Sequence, residues 1–231
     1  MPDWGWIVIG IYGVGMLFIF AYSLVQLNLL LNYRKSLKEI VPANFKCREF
    51  PQVLVQLPVF NERYVVERLI DAAARLDYPK DKLEIQLLDD STDESFEIGT
   101  ERVAFWRRKG LNIKQIKRPD RVGFKAGALQ FGLEQSEAEF IAVFDADFIP
   151  DSDFIQRAMS EFSDNRIGMV QTRWGHLNRD YSLLTRVQAF ALDAHFTVEQ
   201  AGRNRGNHFI NFNGTAGIWR RACIEDAGGW S

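Results

Sequence analysis

Across 231 residues, 28 Lys and Arg stand against 30 Asp and Glu, and the resulting net charge of -2 lacks the basic excess of a protein that tracks nucleic-acid phosphates. Hydrophobic residues at 47% and charged residues at 25% match a globular chain, while 17 Gly and 7 Pro are too few for a low-complexity one. Cys47 and Cys223 lie far apart, with no CxxC or Cys/His cluster, which excludes a disulfide scaffold, gives no zinc signature and reads as two reduced cytosolic thiols.

The charge is unevenly distributed. None occurs between Asp3 and Arg34, and Trp4 to Tyr33 is mostly apolar. At 1.5 Å per residue a helix over positions 4–33 is about 45 Å long, more than the ~30 Å hydrocarbon core of a bilayer. Met1 to Asp3 carries no Lys or Arg and the apolar run is too long for a cleaved signal peptide, so the segment reads as a retained transmembrane helix. A buried hairpin of core helices, helped by Gly5, Gly10, Gly13 and Gly15, is the alternative, and the absence of charge weighs against it. Arg34, Lys35 and Lys38 follow the run directly, which places the N-terminus outside and the remainder in the cytoplasm. A basic connector over 34–50 leads into one domain over 51–231.

That domain alternates strand and helix signals. Strands are predicted at Gln52 to Leu57, Leu83 to Leu88, Asn112 to Ile116, Phe140 to Phe144 and Gly168 to Thr172. Helical periodicity covers Val65 to Leu76, Ser95 to Lys109, Lys125 to Gln135 and Asp153 to Phe162, and Leu183 to Gly202 reads as a longer amphipathic helix. The expected fold is α/β, a mainly parallel sheet covered by helices, in which ligands bind outside the carboxyl ends of the strands.

Those ends are unusually polar. Strand one runs into Asn61-Glu62, strand two into Asp89-Asp90-Ser91-Thr92-Asp93, and strand four into Asp145-Ala146-Asp147. Crowded carboxylates repel unless a cation shares them, and Mg²⁺ or Mn²⁺ takes oxygen ligands while keeping positions for substrate phosphates. Lys125 opens a predicted helix within Gly123-Phe124-Lys125-Ala126-Gly127, where glycines admit a close backbone approach and the helix terminus favours a diphosphate. Each stretch has a plain reading as well: Asp89 to Asp93 as a helix-capping turn, Asp145 to Asp147 as a turn before Pro150, Lys125 as an exposed first-turn lysine. Their convergence on one sheet edge favours a site.

Several other chemistries are excluded. An EF-hand starting at Asp145 would have Ile149 at a ligand position and Pro150 where glycine is needed. Neither G-x-x-x-x-G-K-[ST], G-x-G-x-x-G nor G-x-S-x-G occurs, and no spacing links His176, His195 and His208 into a site. Past the fifth strand, Trp174 and the segment Asn211 to Gly217 set aromatics beside amides and glycines, a pattern suited to a sugar, although Trp174 and Phe212 fit a core equally well.

Seven ordered motifs cover the chain beyond the anchor: PVFNE at 58–62, LLDDSTDES at 87–95, GFKAGAL at 123–129, VFDADFIP at 143–150, VQTRW at 170–174, LDAHFTVEQ at 192–200 and FNGTAGIWRR at 212–221. Together they resemble the family 2 processive glycosyltransferases, most of all the mannan and glucomannan synthases of the cellulose synthase superfamily. The resemblance implies a GT-A fold, a GDP- or UDP-sugar donor with GDP favoured, Mg²⁺ or Mn²⁺, and inverting transfer to a growing β-glycan at the cytoplasmic membrane face. By position it assigns Asn61, Glu62, Asp89 and Asp90 to the nucleoside pocket, Lys125 to the diphosphate, and Asp145 and Asp147 to the metal and the donor. Gln171, Trp174, Phe212, Asn213, Gly214 and Thr215 match the acceptor side. The family's general base belongs to a T-E-D motif, followed by Q-x-x-R-W. Neither is present, so the base is expected beyond Ser231 and the chain reads as an N-terminal fragment. Two rivals are a haloacid dehalogenase-like phosphatase with Asp145 as nucleophile and a non-catalytic nucleotide-sugar sensor.

Overall fold

The computed structural model describes residues 4–37 and 50–230. Asp3, Lys38, Cys47, most of the connector and Ser231 lie outside the described residues. The chain divides into two compact units, one of Met1–Pro42 with Arg173–Asn211 and one of Ala43–Thr172 with Phe212–Ser231. Residues 173–211, expected within the catalytic domain, therefore cluster with the N-terminal helix.

In the sheet unit, β1 (Val53–Val59), β2 (Leu83–Asp89), β3 (Ile113–Ile116), β4 (Phe140–Val143), β5 (Met169–Gln171) and β6 (Gly217–Arg220) form one sheet in the order β3-β2-β1-β4-β6-β5. β1 pairs in parallel with β2 and β4, and β2 with β3. Val53, Leu54, Val55 and Leu57 of β1 are wholly buried, as expected of a strand covered on both faces. Register levels the polar ends: Val59 stands opposite Asp89, and Gln56 opposite Val143.

The sheet departs from the expected parallel pattern at one side. β6 runs antiparallel to both β4 and β5. Its four residues follow a glycine-rich segment and carry too little apolar pattern to signal a strand, and once inserted it reverses the direction of pairing on that edge.

Around the sheet lie α2 (Val66–Ala74), α3 (Ser95–Arg108), α4 (Phe124–Leu133), α5 (Phe154–Met159) with a 3-10 turn at Ser160–Ser163, and, later in the chain, α8 (Arg221–Asp226). α4 hangs from β1 and β2 by buried amides. Gln56 Nε2 donates to the Leu129 carbonyl at 3.0 Å, and Gln86 Nε2 donates to that of Gly132 at 2.9 Å. Gly132 makes room for this approach, since a Cβ there would stand 2.4 Å from Gln86 Oε1.

The helical unit holds α1 (Trp4–Ser36) and a second continuous helix made of α6 (Leu183–Ala194), a π segment (His195–Gln200) and α7 (Ala201–Arg205). A reciprocal cap starts α6: Ser182 N donates to Thr185 Oγ1 at 2.9 Å, and Thr185 N to Ser182 Oγ at 3.2 Å. α1 is one unbroken helix, which corrects the alternative of a buried hairpin. Among the described residues it is the helix long and apolar enough to cross a membrane, and its apolar side chains are exposed. Leu29, buried against α7, is an exception; a Cβ on Gly202 would stand 2.6 Å from the Leu29 carbonyl oxygen.

Candidate functional site

A cleft of about 480 Å³ opens at the carboxyl ends of β1, β2 and β4, and Phe60, Glu62, Asp90, Arg121, Lys125, Asp145 and Asp147 are among its lining residues. Five of those seven were legible as strand-end or helix-start chemistry, and the two aromatic and cationic additions, Phe60 and Arg121, were not.

Beyond β1 the chain turns sharply at Asn61, whose φ of 58° is a left-handed conformation that asparagine tolerates. Its backbone N–H donates to Ser91 Oγ at 2.9 Å, and its Oδ1 accepts from Thr92 N at 2.9 Å. Asn61 thus ties the loop after β1 to the loop after β2 and does not line the cleft. Asp89, expected at the nucleoside pocket, is enclosed more fully. It is fully buried, its Oδ1 accepts from Ser91 N at 2.9 Å, and its Oδ2 accepts from Gln115 Nε2 at 2.8 Å. A carboxylate so enclosed shapes the turn.

Asp90, next along, faces the cleft but is already neutralised. Arg118 grips it with two bonds, Nε to Oδ1 at 3.1 Å and a terminal nitrogen to Oδ2 at 2.5 Å. Arg118 also donates to the Val122 and Phe124 carbonyls, at 2.8 and 2.9 Å, and so fastens the loop that leads into α4. Arg121, in the same loop, lays its guanidinium over the Phe60 ring, 3.3 Å from the centroid. Sequence reasoning missed both arginines. The available signal was their place immediately after β3, the third parallel strand, whose end belongs to the same edge.

The start of α4 depends on glycine. Gly123 has φ 73°, and a Cβ on Gly127 would stand 2.1 Å from the Val122 carbonyl oxygen. This tight turn presents Lys125, which forms an ion pair with Asp145 and donates to the Gly214 carbonyl at 2.7 Å. The acidic groups at these strand ends each have a protein partner: Asp89 is hydrogen-bonded to Gln115, Asp90 is paired with Arg118 and Asp145 with Lys125.

Asp145 is held from its other side by the segment before β6. Its backbone N–H donates to Thr215 Oγ1 at 2.9 Å, while Gln171 Nε2 donates to the Thr215 carbonyl at 3.0 Å and Gln171 Oε1 accepts from Asn213 N at 2.9 Å. Gln171, Asn213, Gly214 and Thr215 are therefore brought together, next to the Lys125–Asp145 pair. Phe212 is not a free platform: its ring packs on Trp219 and Trp230, with centroids 5.4 and 6.3 Å away. Trp174 belongs to the helical unit, edge-on to Phe196 at 5.4 Å.

No group of three or more His, Cys, Asp or Glu able to hold an ion occurs among the described residues. Two carboxylates, Asp145 and Asp147, nonetheless share the cleft wall. That donor set suits Mg²⁺ or Mn²⁺, hard ions that bind through one or two carboxylates and take the remaining ligands from water and substrate phosphates.

The profile of glycosyl transferase family 2 matches residues 55–226. The chain belongs to that family. It is 49% identical over 189 residues to glucomannan 4-beta-mannosyltransferase 2 of Arabidopsis thaliana, covering 78% of this chain and 35% of that protein. It is 50% identical over 186 residues to probable glucomannan 4-beta-mannosyltransferase 11 of Oryza sativa subsp. japonica, covering 78% and 33%. The chain thus spans about a third of the length of these curated relatives. Among solved structures, mannosyltransferase PcManGT from Pyrobaculum calidifontis, in complex with GDP-Man and Mn²⁺, aligns with a TM-score of 0.67 at 24% identity, covering 92% of this chain and 58% of that one. That likeness establishes the GT-A fold. Membership in the family favours neither the phosphatase reading of Asp145 nor the non-catalytic sensor.

Proposed function

We propose that the chain is the donor-binding part of a membrane-anchored, inverting glycosyltransferase that transfers mannose or glucose from a GDP- or UDP-sugar to a β-linked glycan, with GDP-mannose the preferred donor. The observation that carries this reading is the network in which Lys125 joins Asp145 to the Gly214 carbonyl at the mouth of a cleft lined by Asp90 and Asp147. Relatives at about half identity named as glucomannan mannosyltransferases, and a fold neighbour solved with GDP-Man and Mn²⁺, support the choice of donor.

In this reading Glu62 and Asp90 face the nucleoside, with Asn61 and Asp89 fixing their loops from behind. Lys125 meets the diphosphate. Its ammonium must loosen from Asp145 to do so, which frees that carboxylate to join Asp147 in holding Mg²⁺ or Mn²⁺. The bound ion supplies Lewis-acid neutralisation of the departing nucleoside diphosphate. Gln171, Asn213, Gly214 and Thr215 form the acceptor side, with Phe212 bracing them from the core. Trp174 keeps its acceptor assignment on the VQTRW motif alone. The assigned layout is a transmembrane helix over 4–33, a connector over 34–50 and a GT-A domain over 51–231, cytoplasmic, with the N-terminus outside and the general base beyond Ser231.

Asp147→Asn tests the site, because it removes a negative ligand at nearly constant volume. Titration calorimetry with GDP or UDP and Mn²⁺ is expected to show weaker, less metal-dependent binding in a variant of unchanged fold, and equal binding by variant and parent would falsify the assignment. A tighter response to UDP than to GDP would overturn the preferred donor while leaving the site intact.

A further inference from the structure

Arg121 stands in the cleft wall with its side chain 41% exposed. Among the described residues its ion-pair partner is Asp90, whose Oδ2 lies 3.9 Å from Arg121 Nε, too far for a hydrogen bond. Asp90 is already held by two bonds from Arg118, so the Arg121 charge and its N–H groups are left to face the cleft. The plane of the guanidinium is set by an aromatic ring. Its central carbon is 3.3 Å from the Phe60 centroid, and at that distance the group lies flat, because a tilted one would drive a nitrogen into the ring. The Phe124 ring stands 5.4 Å away. A guanidinium lying flat on Phe60 points its N–H edge sideways, so a group that accepts two of those bonds lies edge-on to Arg121 in the same plane.

The position along the sheet edge narrows what that group is. Through Phe60 and Asp90, Arg121 belongs to the ends of β1 and β2, whereas Lys125 meets Asp145 past β4, on the other side of β1. With strands about 4.8 Å apart, the two places are separated by roughly 10 Å, which leaves room for a ribose between them. On the donor-binding reading Lys125 takes the diphosphate, and the flat, planar ligand at Arg121 is the base. Bases differ in what they offer to a fork of two parallel N–H groups. Guanine presents two acceptors side by side, N7 and O6, while adenine presents N7 beside an amino donor that opposes the second N–H. Uracil presents its O4 beside a C–H group and satisfies one bond of the two. A site built to donate twice therefore rejects a base that leaves one donor unpaired.

We propose that Arg121, held flat by Phe60, reads the N7–O6 edge of guanine and is the residue that selects a guanosine diphosphate donor. The proposal rests on the donor-binding reading, and its test separates the two. Calorimetric titrations of the full chain with Mg²⁺ compare GDP, 7-deaza-GDP, ADP, UDP and inorganic pyrophosphate. A bidentate arginine discriminates among bases by about 5- to 150-fold, so GDP is expected to bind tighter than the other three nucleotides by a factor in that range. Arg121→Lys keeps the charge and loses the fork, and it is expected to close this gap while leaving pyrophosphate affinity unchanged. Equal binding of GDP and 7-deaza-GDP by the parent chain overturns the proposal without any variant, since N7 is then not read, and leaves the donor site standing. A gap that survives Arg121→Lys overturns it as well, because another group then does the reading. Loss of pyrophosphate affinity in step with GDP would mean that Arg121 serves the phosphates or the fold, which also overturns it. Failure of the parent to bind any of the five ligands sinks the donor-binding reading itself.

Discussion

A single carboxylate, Asp71 on α2, illustrates how competing effects are settled. Burial pushes its carboxyl upward, but the hydrogen bonds from Arg102 and Trp106, with the Arg102 charge, outweigh burial and hold it below the ordinary carboxylate value. A carboxyl depressed in the native state adds stability above its unfolded value of about 3.9, and that stability is lost as pH falls through the lower native value. Acidification from ~5 toward ~3 should therefore lower the denaturation midpoint of the parent chain more than that of Asp71→Asn. Trp106 fluorescence is a local probe, since its indole N–H donates to Asp71 at 2.8 Å. Parallel acid limbs for the two proteins would show that the α2–α3 pair contributes nothing through its charge. The same scale explains why Asp89 and Asp90, adjacent and chemically identical, differ in role. Asp89 closes β2 and turns in to Gln115, whereas Asp90 stands just past the strand end and lines the cleft.

Among the elements, α4 has the most demanding placement, because its first turn carries Lys125. Gln56 and Gln86 hold the far end of the helix by its carbonyls, and Gly132 lets it sit close enough for them to reach. Gly132→Ala would set a methyl group 2.4 Å from Gln86 Oε1 and 2.6 Å from Leu88 Cδ2, both in the core. Overpacking of this kind costs about 1–3 kcal/mol. The expected result is a lower denaturation midpoint together with weaker nucleoside diphosphate binding, because α4 must shift; a stability loss with unchanged affinity would show that Lys125 is positioned by Asp145 and Gly214 alone. β6 matters for the opposite wall. Its antiparallel pairing, Val143 against Gly217, delivers Gly214 and Thr215 beside Asp145.

For the molecule as a whole, two outcomes follow from the proposed function. The full chain should stay with membranes through a high-salt wash, since apolar burial is insensitive to charge screening, and a chain starting near Phe45 should be released. Release of the full chain by salt alone would remove α1 as an anchor. The second outcome concerns turnover. An inverting transfer needs a positioned base, worth about 10²- to 10⁴-fold in rate, and the proposal assigns none within these residues. The 231-residue chain is accordingly expected to bind GDP or UDP with Mn²⁺ and to form no polymer on a β-linked oligosaccharide acceptor. Elongation by the chain, abolished by Asp147→Asn, would place a base inside it.

Sequence alone determined the family, the three strand ends that carry Glu62, Asp90, Asp145 and Asp147, the glycine turn before Lys125, and the long apolar helix. These are local features: an apolar run followed by polar residues says where a strand stops, and a missing Cβ says where the chain bends. The tertiary structure decided what local pattern cannot encode. It turned Asp89 inward to Gln115, paired Asp90 with Arg118 from a loop 28 residues away, and assigned Lys125 to Asp145. It also inserted β6 between β4 and β5, and grouped α6 and α7 with α1. Each of these depends on which distant side chain reaches a given atom once the sheet has closed. Charge balance and burial are properties of that assembled neighbourhood, and a linear order of residues does not carry them.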